Sequence, residues 1–590
     1  MAQTFKYQHE LPIMPVPDLY EVCQKLKNWS APLLTKKEQQ TTEKVIEHFL
    51  QKGGEGELLQ NELTQWQKQN PNTNWAAPVW KALYLESRKP LVINSNVFYY
   101  LKNKLDEKIC SQAHIASALI KSVYDFMQLI DNEELEADLQ KDKALCMNQY
   151  KNIFSSMRVP RQGCDEFKTS TIRTHIIVMY KQRIFKLNML DITGETRSIK
   201  AIELDLNNIL NMKSVGQNLG VLTSMPRDQW ASKRNDLLDI SEDNKQAMKL
   251  MENATFALCL DDNQPELLTS VSEQLLYGNG KNRFFDKSLQ LIVFKNGKMG
   301  INFEHTGVDG SVMLRLISHL YDSMEAAQHY KKDAEIKLTE DSIQEIKFKL
   351  NHSLEETISQ AEIAFKLHVE ETQTRVLDFS SFGKNQIKQF AVSPDAFVQL
   401  ALQFAEYKLY GKLYSAYEAV MTRTFLDGRI DVLYTVSPES VDFIEKMQDD
   451  DCSVESKVTA LVKATQKHSE RAKECRSGEG IYSHLLALQY HYKQAGLQIG
   501  LENMPKIFSD KGFQTLTNSI VCTSTTSNYG VELAGYGPIV DDGYGIRYFT
   551  NNDSIRFNMT SRTELKKNLD EMKVYIEQSL LEMADLMLQR

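Results

Sequence analysis

The chain has 590 residues, 42% of them hydrophobic and 25% charged, with a formal net charge of −9. That length exceeds what one hydrophobic core holds and implies two large domains. The acidic balance argues against a general nucleic-acid binder, and no apolar run reaches the ~20 residues that span a bilayer.

Neither end reads as an address. "MAQTFKYQHELPIMP" lacks an apolar signal core, and "LLEMADLMLQR" is not a peroxisomal tripeptide. The eight cysteines (Cys23, Cys110, Cys146, Cys164, Cys259, Cys452, Cys475 and Cys522) form no C-x-x-C pair. A reduced, cytoplasmic protein is expected. The twelve histidines include no H-E-x-x-H, and none clusters with cysteine, so no metal site is expected.

In chain order, residues 36–50 and 112–130 carry apolar residues at helical spacing. Residues 174–190, "THIIVMYKQRIFKLNML", place two β-branched or aromatic runs around a polar "KQR", which predicts a hairpin. Residues 288–305 repeat that pattern with Asn296-Gly297 as the tight turn. His305 then sits at the end of the second strand. Helices are expected at 311–328 and through 334–370. The second half begins near "RVLDFSSFGKNQIKQF" and reads as mainly helical to about residue 500. A strand at 519–525 leads into a turn-rich 535–549, and an amphipathic helix closes the chain at 561–589. Mixed strands and helices in both halves predict an α/β fold of two domains, 1–373 and 374–590.

Three stretches could carry chemistry. "GINFEHTGVDGSVM" brings Glu304, His305 and Asp309 together. An H-x-x-x-D-G pattern alone reads first as a satisfied core histidine, with a base as the alternative, since imidazole exchanges protons near neutrality. "CTST" at 522–525 offers hydroxyls at a strand end, which are either ordinary strand residues or donors to an oxyanion. Lys384 and Lys388 stand four apart, on one face if helical. That face is either solvated or relieved of its repulsion by an anion such as phosphate.

Taken together, the chain resembles the carnitine/choline acyltransferase family over nearly its whole length. The resemblance rests on "LPIMPVPDLYEVCQKL", "WKALYLESRKPLVINSN", "LTSMPRDQWASKR", "NRFFDKSLQLIV", "EHTGVDG", "SPDAF", "AYEAVMTRTFLDGRID" and "GPIVDDGYG", in the family's order. It implies two similar domains of chloramphenicol acetyltransferase-like topology, each a mixed sheet flanked by helices, with a tunnel between them. It makes His305 the general base, which lets an acceptor hydroxyl attack the acyl-CoA thioester with no acyl-enzyme. It makes Ser524 the oxyanion donor and pairs Asp309 with Arg429. The family's Ser-Thr-Ser run reads Cys522-Thr523-Ser524 here, so its first hydroxyl is missing. Lys384 and Lys388 match lysines on the 3′-phosphate of CoA, and Asp395 and Glu418 match residues near the rest of that molecule. Tyr84 and Thr523 fall among the substrate-binding positions. CoA or acyl-CoA is implied as co-substrate, with no permanently bound cofactor, and the protein is expected to be a monomer.

Departures from the family bear on the substrates. Carnitine enzymes provide a Thr after the Gly-Arg pair and an Arg before the "HLLGL"-type segment. This chain keeps Tyr417 but has Ile430 and Ser483 at those places, followed in the first case by Asp431. A desolvated carboxylate without its arginine is costly, so choline, which has none, is favoured over carnitine. The competing readings are a carnitine enzyme with a rewired carboxylate site, a protein or lipid acceptor, and a CoA-binding protein without catalysis. Ala534 stands where short-chain members carry a bulky Met, so a deep pocket for medium or long acyl chains is expected.

Overall fold

Two period-two apolar runs meeting at a tight turn make the simplest part of the fold, and both expected hairpins form. The computed structural model describes residues 3–105, 110–328, 342–525, 527–562 and 569–590. Among these the strands are β1 (Val97–Leu101), β2 (Leu139–Gln140), β3 (Lys143–Ala144), β4 (Ser156–Val159), β5 (Glu166–Thr169), β6 (His175–Tyr180), β7 (Arg183–Asn188), β8 (Ala257–Asp261) and β9 (Leu289–Phe294). They continue with β10 (Met299–Phe303), β11 (Ile343–Ile346), β12 (Thr372–Phe379), β13 (Ala416–Met421), β14 (Ile430–Tyr434), β15 (Val521–Thr525), β16 (Val531–Tyr536), β17 (Tyr544–Thr550) and β18 (Ile555–Arg562).

The β6–β7 turn puts Lys181 and Gln182 at φ 46° and 63°, a conformation that ordinarily selects Asn or Gly. Neighbouring chain compensates: Gln182 donates its N–H to Asn282 Oδ1 at 3.0 Å, and Gly216 donates to the Lys181 carbonyl at 2.9 Å. In the β9–β10 turn Gly297 takes φ 83°, and its N–H reaches the Phe294 carbonyl at 3.0 Å.

Two mixed sheets organise the molecule, in keeping with the expected α/β class. The first has the order β11-β7-β6-β8-β9-β10-β1-β16, and the second β12-β18-β17-β15-β13-β14. One face of the first sheet packs Tyr99, Ile301 and Phe303 against the helices Gln112–Asp131 and Gly310–Gln328. Ile115, Leu119, Val123 and Phe126 of the former are fully buried, as its helical spacing requires. The other face buries Phe98, Cys259 and Ile292 with Leu275 of the helix Leu268–Leu276. The second sheet buries Tyr548 and Phe557 against the helices Pro394–Tyr410 and Leu569–Leu588.

Two exchanges cross residue 373. Strand β16 joins the first sheet, pairing antiparallel with β1 in the register Phe98↔Gly535 and Tyr99↔Ala534. The helices Leu19–Ser30 to Ala76–Leu85 instead share a core with Val420, Val432 and Leu433 of the second sheet. The close approach explains Gly535, where a Cβ would lie 2.1 Å from Asn558 Nδ2.

Several expectations need correction. The helix expected through 334–370 spans His352–Glu370. Before it, β11 pairs with β7 in the register Ile343↔Leu187, and residues 329–341 lie outside the described part. Residues 535–549 hold the end of β16 and most of β17 rather than turns alone. Residues 561–562 end β18, 563–568 lie outside the described part, and the closing helix is described from Leu569. The segment read as helical to residue 500 also carries β12, β13 and β14.

A partly buried ionic cluster ties the second sheet to the helix Val454–Arg476. His468 Nε2 lies 3.2 Å from Glu418 Oε2 and 3.6 Å from Asp395 Oδ2. Burial alone would lower the imidazole pKa, but the two carboxylates outweigh it and raise it from 6.5 to about 9. A raised pKa in the folded state means stabilisation that is complete below pH 6.5 and lost as pH rises through 9. Thermal melts are therefore expected to drop by a few degrees between pH 7 and pH 9.5, with a smaller drop in His468→Gln. Equal drops in the two proteins would remove the cluster from the account.

Candidate active site

The loop after β10 is shaped by two carboxylates. Glu304 is fully buried and accepts from the Thr306 N–H at 3.0 Å and its hydroxyl at 2.7 Å. This folds the chain back directly after the strand. Gly307 follows because a Cβ there would lie 2.4 Å from the Phe167 ring. Asp309 then donates its N–H to Gln149 Oε1 at 2.7 Å and accepts from Gln149 Nε2 at 2.8 Å.

Arg429, just before β14, clasps this loop from the second sheet. Its Nη2 donates to the His305 carbonyl at 2.8 Å and to Asp309 Oδ1 at 2.7 Å. Its Nε lies 3.2 Å from both carboxylate oxygens, and Nη1 donates to the Thr306 carbonyl. Burial opposes ionisation of Asp309, yet Arg429 outweighs it and holds the carboxyl below its usual range.

His305 projects from this clasped loop with 22% of its side chain exposed. Its Nδ1 lies 3.6 Å from Asp309 Oδ1 and 3.5 Å from the Tyr84 hydroxyl. The Tyr84 ring stacks on it at 5.4 Å and 21°. Burial lowers the imidazole pKa, Asp309 pulls it back up and Arg429 adds to the lowering. The net shift is downward, so the ring is neutral at physiological pH and able to accept a proton.

Strand β15 runs parallel between β13 and β17, with Ser524 opposite Arg547 and Cys522 opposite Tyr417 and Gly545. Strand alternation puts Tyr417, Cys522, Ser524 and Arg547 on the face toward the first sheet. Thr523 faces the other way. Its hydroxyl donates to the Tyr417 carbonyl at 2.7 Å and accepts from Gln399 at 2.8 Å, inside the second domain rather than between the two. Two tyrosines bridge the sheets. Tyr536 donates to the Cys522 carbonyl at 3.2 Å, and Arg547 Nη2 donates to Tyr99 at 2.9 Å. Phe303 and Tyr536 both pair with Val97, so the end of β10 lies two strand spacings, about 10 Å, from the tyrosine that holds Cys522.

Next to His305 runs a series of aromatic rings. Trp80 lies 6.4 Å from Tyr84 and 5.8 Å from Tyr482, and Tyr482 lies 6.4 Å from Tyr434. Tyr434 pairs across the strands with Tyr417, and Ile430 with Met421. On the other face of β14 from Tyr434, Asp431 accepts from Ser483 Oγ at 2.9 Å and from the Ser483 N–H at 3.1 Å. Burial pushes the Asp431 carboxyl up to about 6 against these hydrogen bonds, so it remains mostly ionised at pH 7.

Lys384 and Lys388 lie on the short helix Lys384–Gln389. Lys384 is half-buried and Lys388 exposed. Among the described residues neither has a carboxylate within 4 Å. Asp395, at the start of the next helix, and Glu418 form the cluster with His468, where Tyr548 donates to Asp395 at 2.5 Å. Glu418 is buried on the face of β13 away from Tyr417. Ala534 is fully buried in the core beside Tyr99, so the expected deep acyl pocket meets packed side chains there.

Sequence reasoning did not single out Gln149, Trp80, Tyr482, Tyr536 or Arg547. Tyr482 was the most accessible of these, since it precedes Ser483. Removal of Asp309 alone would strand the Arg429 charge in the interface. Asp309→Ala is expected to cost about 3–5 kcal/mol in urea unfolding, whereas a loss under about 1 kcal/mol would mean that water solvates the pair.

Residues 14–578 match the family model described as Choline/Carnitine o-acyltransferase. The chain is 30% identical to carnitine O-acetyltransferase of Columba livia, an alignment covering 98% of this chain and 94% of that one. It is 29% identical to mitochondrial carnitine O-palmitoyltransferase 2 of Rattus norvegicus, covering 95% and 90%. A solved structure of TRI3 trichothecene 15-O-acetyltransferase from Fusarium sporotrichioides is similar at 9% identity and a TM-score of 0.38, covering 86% of this chain and 94% of that one. With nearly its full length matched by the family model, and with relatives aligned end to end, this chain belongs to the choline/carnitine O-acyltransferase family.

Proposed function

We propose that the chain moves an acyl group from CoA to the hydroxyl of a small quaternary-ammonium alcohol, and that choline is preferred. The observations that support this reading are the rings of Tyr84, Trp80 and Tyr482, which run from beside His305, and the buried Asp431 carboxylate, held at 2.9 Å by Ser483, the neighbour of Tyr482. Aromatic faces attract quaternary ammonium groups, and an ionised carboxylate strengthens that attraction in a low-dielectric site. The same carboxylate would repel the acid group of carnitine. Arg429, the cation nearest His305, is already committed to Asp309.

In this reading His305 acts through Nε2, because Nδ1 faces Asp309 and Tyr84. Nε2 takes the acceptor's hydroxyl proton as its oxygen attacks the thioester carbonyl. Ser524 donates to the oxyanion that develops. When the C–S bond breaks, the proton passes from His305 to the departing CoA sulfur. Both substrates are held at once, so positioning supplies much of the acceleration. Lys384 and Lys388 are assigned to the phosphates of CoA, where anionic oxygens would relieve two cations on one short helix. The eight cysteines, sparse for the length and without a C-x-x-C pair, fit a cytoplasmic setting. Among the described residues, no helix is long and apolar enough to cross a membrane.

A second reading, carnitine as acceptor, is favoured by the names of the relatives. Isothermal titration separates the two. Choline is expected to bind and carnitine to bind weakly, whereas tight carnitine binding with silent choline would overturn the preference. His305→Ala should lower kcat by at least about 10²-fold, measured as thiol release, and an unchanged rate would refute the mechanism.

The acid limb has a defined sign. Asp431 is ionised above about pH 6, so its attraction for a cation is present there and lost as pH falls through 6. The KM for choline should rise between pH 7 and pH 5. Asp431→Asn should raise it by about tenfold or more at pH 7 and flatten its pH dependence. A variant with the wild-type KM and profile would place the cation elsewhere.

A further inference from the structure

The cluster of Asp395, Glu418 and His468 carries more negative charge than one imidazole offsets. Asp395 lies in the first turn of the helix Pro394–Tyr410, Glu418 in β13 and His468 in the helix Val454–Arg476. Glu418 and His468 are buried, whereas the Asp395 side chain is 39% exposed. Among the described residues no lysine or arginine lies within 4 Å of either carboxylate. Glu418 Oε2 and Asp395 Oδ2 stand 3.2 and 3.6 Å from His468 Nε2. Neither contact has the direction of a hydrogen bond, and Nε2 has no hydrogen-bond partner. One donor atom from each of the three residues lies within 4.8 Å of the other two. The second oxygen of each carboxylate is turned to Tyr548. Its hydroxyl donates to Asp395 Oδ1 at 2.5 Å, lies 3.4 Å from Glu418 Oε1 and accepts from Gln399 at 3.0 Å.

We propose that these three side chains bind one divalent transition-metal ion of the zinc type, through Asp395 Oδ2, Glu418 Oε2 and His468 Nε2. Tetrahedral ligands at the ~2.0–2.2 Å typical of zinc stand about 3.3–3.5 Å from one another. The two nitrogen–oxygen distances straddle that spacing. A ring nitrogen close to two oxygens, and directed at neither, suits an ion between them better than a proton given to one. A protonated imidazole leaves the trio with one uncompensated negative charge. A divalent ion with a neutral imidazole brings it to neutrality, in a place where two of the three groups are shielded from water. In the metal-free protein the proton on His468 described above takes the ion's place. Tyr548 supplies the outer hydrogen bond that orients carboxylate ligands in metal sites, and Gln399 in turn orients Tyr548. Two carboxylates and an imidazole suit zinc and its neighbours better than magnesium, which favours oxygen alone. Asp395, the exposed member, is where the ion and its water ligands would enter. No local spacing announces the site, because its donors come from two helices and a strand. The inference does not depend on the acyl-transfer reading.

The test is isothermal titration of the intact protein with ZnCl2 at one pH, after treatment with EDTA and its removal, without CoA, and with MgCl2 as the comparison. Zinc should bind at one equivalent and at least about tenfold more tightly than magnesium. Asp395→Asn and His468→Gln should each weaken it by about tenfold or more. Cobalt(II) added to the wild-type protein should give visible ligand-field bands without a thiolate charge-transfer band, because the ligands are nitrogen and oxygen. That spectrum needs no variant, so a variant that fails to fold does not blunt the test. The inference is overturned by the absence of zinc binding at one equivalent, by magnesium binding as tightly, or by a thiolate band, which would place the ion at a cysteine. Zinc held equally well by Asp395→Asn would be an adventitious surface ion and overturns it too.

Discussion

One guanidinium holds the two sheets in working register. Arg429 belongs to the segment leading into β14, and all its acceptors named above belong to the loop after β10. Both groups are nearly buried, so neither water nor salt competes strongly with the pair. Two of its acceptors are the backbone carbonyls of His305 and Thr306, so Arg429 fixes the path of the chain as well as a side chain. The imidazole is thereby presented from a rigid support, which matters because a catalytic group displaced by 1 Å loses much of its effect. Gln149 completes the clasp from a third direction, bonding both the backbone and the carboxylate of Asp309.

A second layer of buried charge supports the same loop. Arg158 lies 3.6 Å from Glu304 and 2.7 Å from Asp165. Asp165 also binds Arg227 at 2.6 Å, and Arg227 binds Asp286 at 2.6 Å. Trp230 donates to the same Asp286 at 2.7 Å. Such networks contribute little net stability over apolar packing, but losing any one member leaves a desolvated charge behind. They therefore fix one arrangement and penalise all others. Three of the sequence segments that carried the family resemblance, around Arg227, Asp286 and Glu304, meet in this network, although each looked like an isolated polar motif in the sequence.

Legibility followed the physics of each element. The hairpins at 174–190 and 288–305 could be read because their alternation is local and their turns are short. The strands β16 and β17 were masked by their own function. "VELAGYGP" and "DGYGIRYF" carry glycines that resemble turn punctuation, but Gly535 and Gly545 are there to let two sheets approach. A Cβ on Gly545 would lie 2.8 Å from the Gly537 carbonyl. Strand β11 has only four residues and depends on pairing with β7, which no local pattern announces. In the site, the Asp309–Arg429 pairing was implied by resemblance and is present as a multidentate contact. The face on which Thr523 lies could not be read from the sequence, because a strand's two faces are indistinguishable until the partner sheet is known. Arg547 was unreadable for the same reason, since its bond to Tyr99 exists only once the two sheets meet.

The two sides of the site hold their charge differently. Asp431 lies on the face of β14 away from Tyr434 and accepts from Ser483, the neighbour of Tyr482 in the aromatic run. Arg547 stands beside Ser524 and donates to Tyr99 of the first sheet. In the reading proposed above, the cation of the acceptor belongs on the Asp431 side while its hydroxyl reaches toward His305, so the charged end does not have to cross the reaction centre.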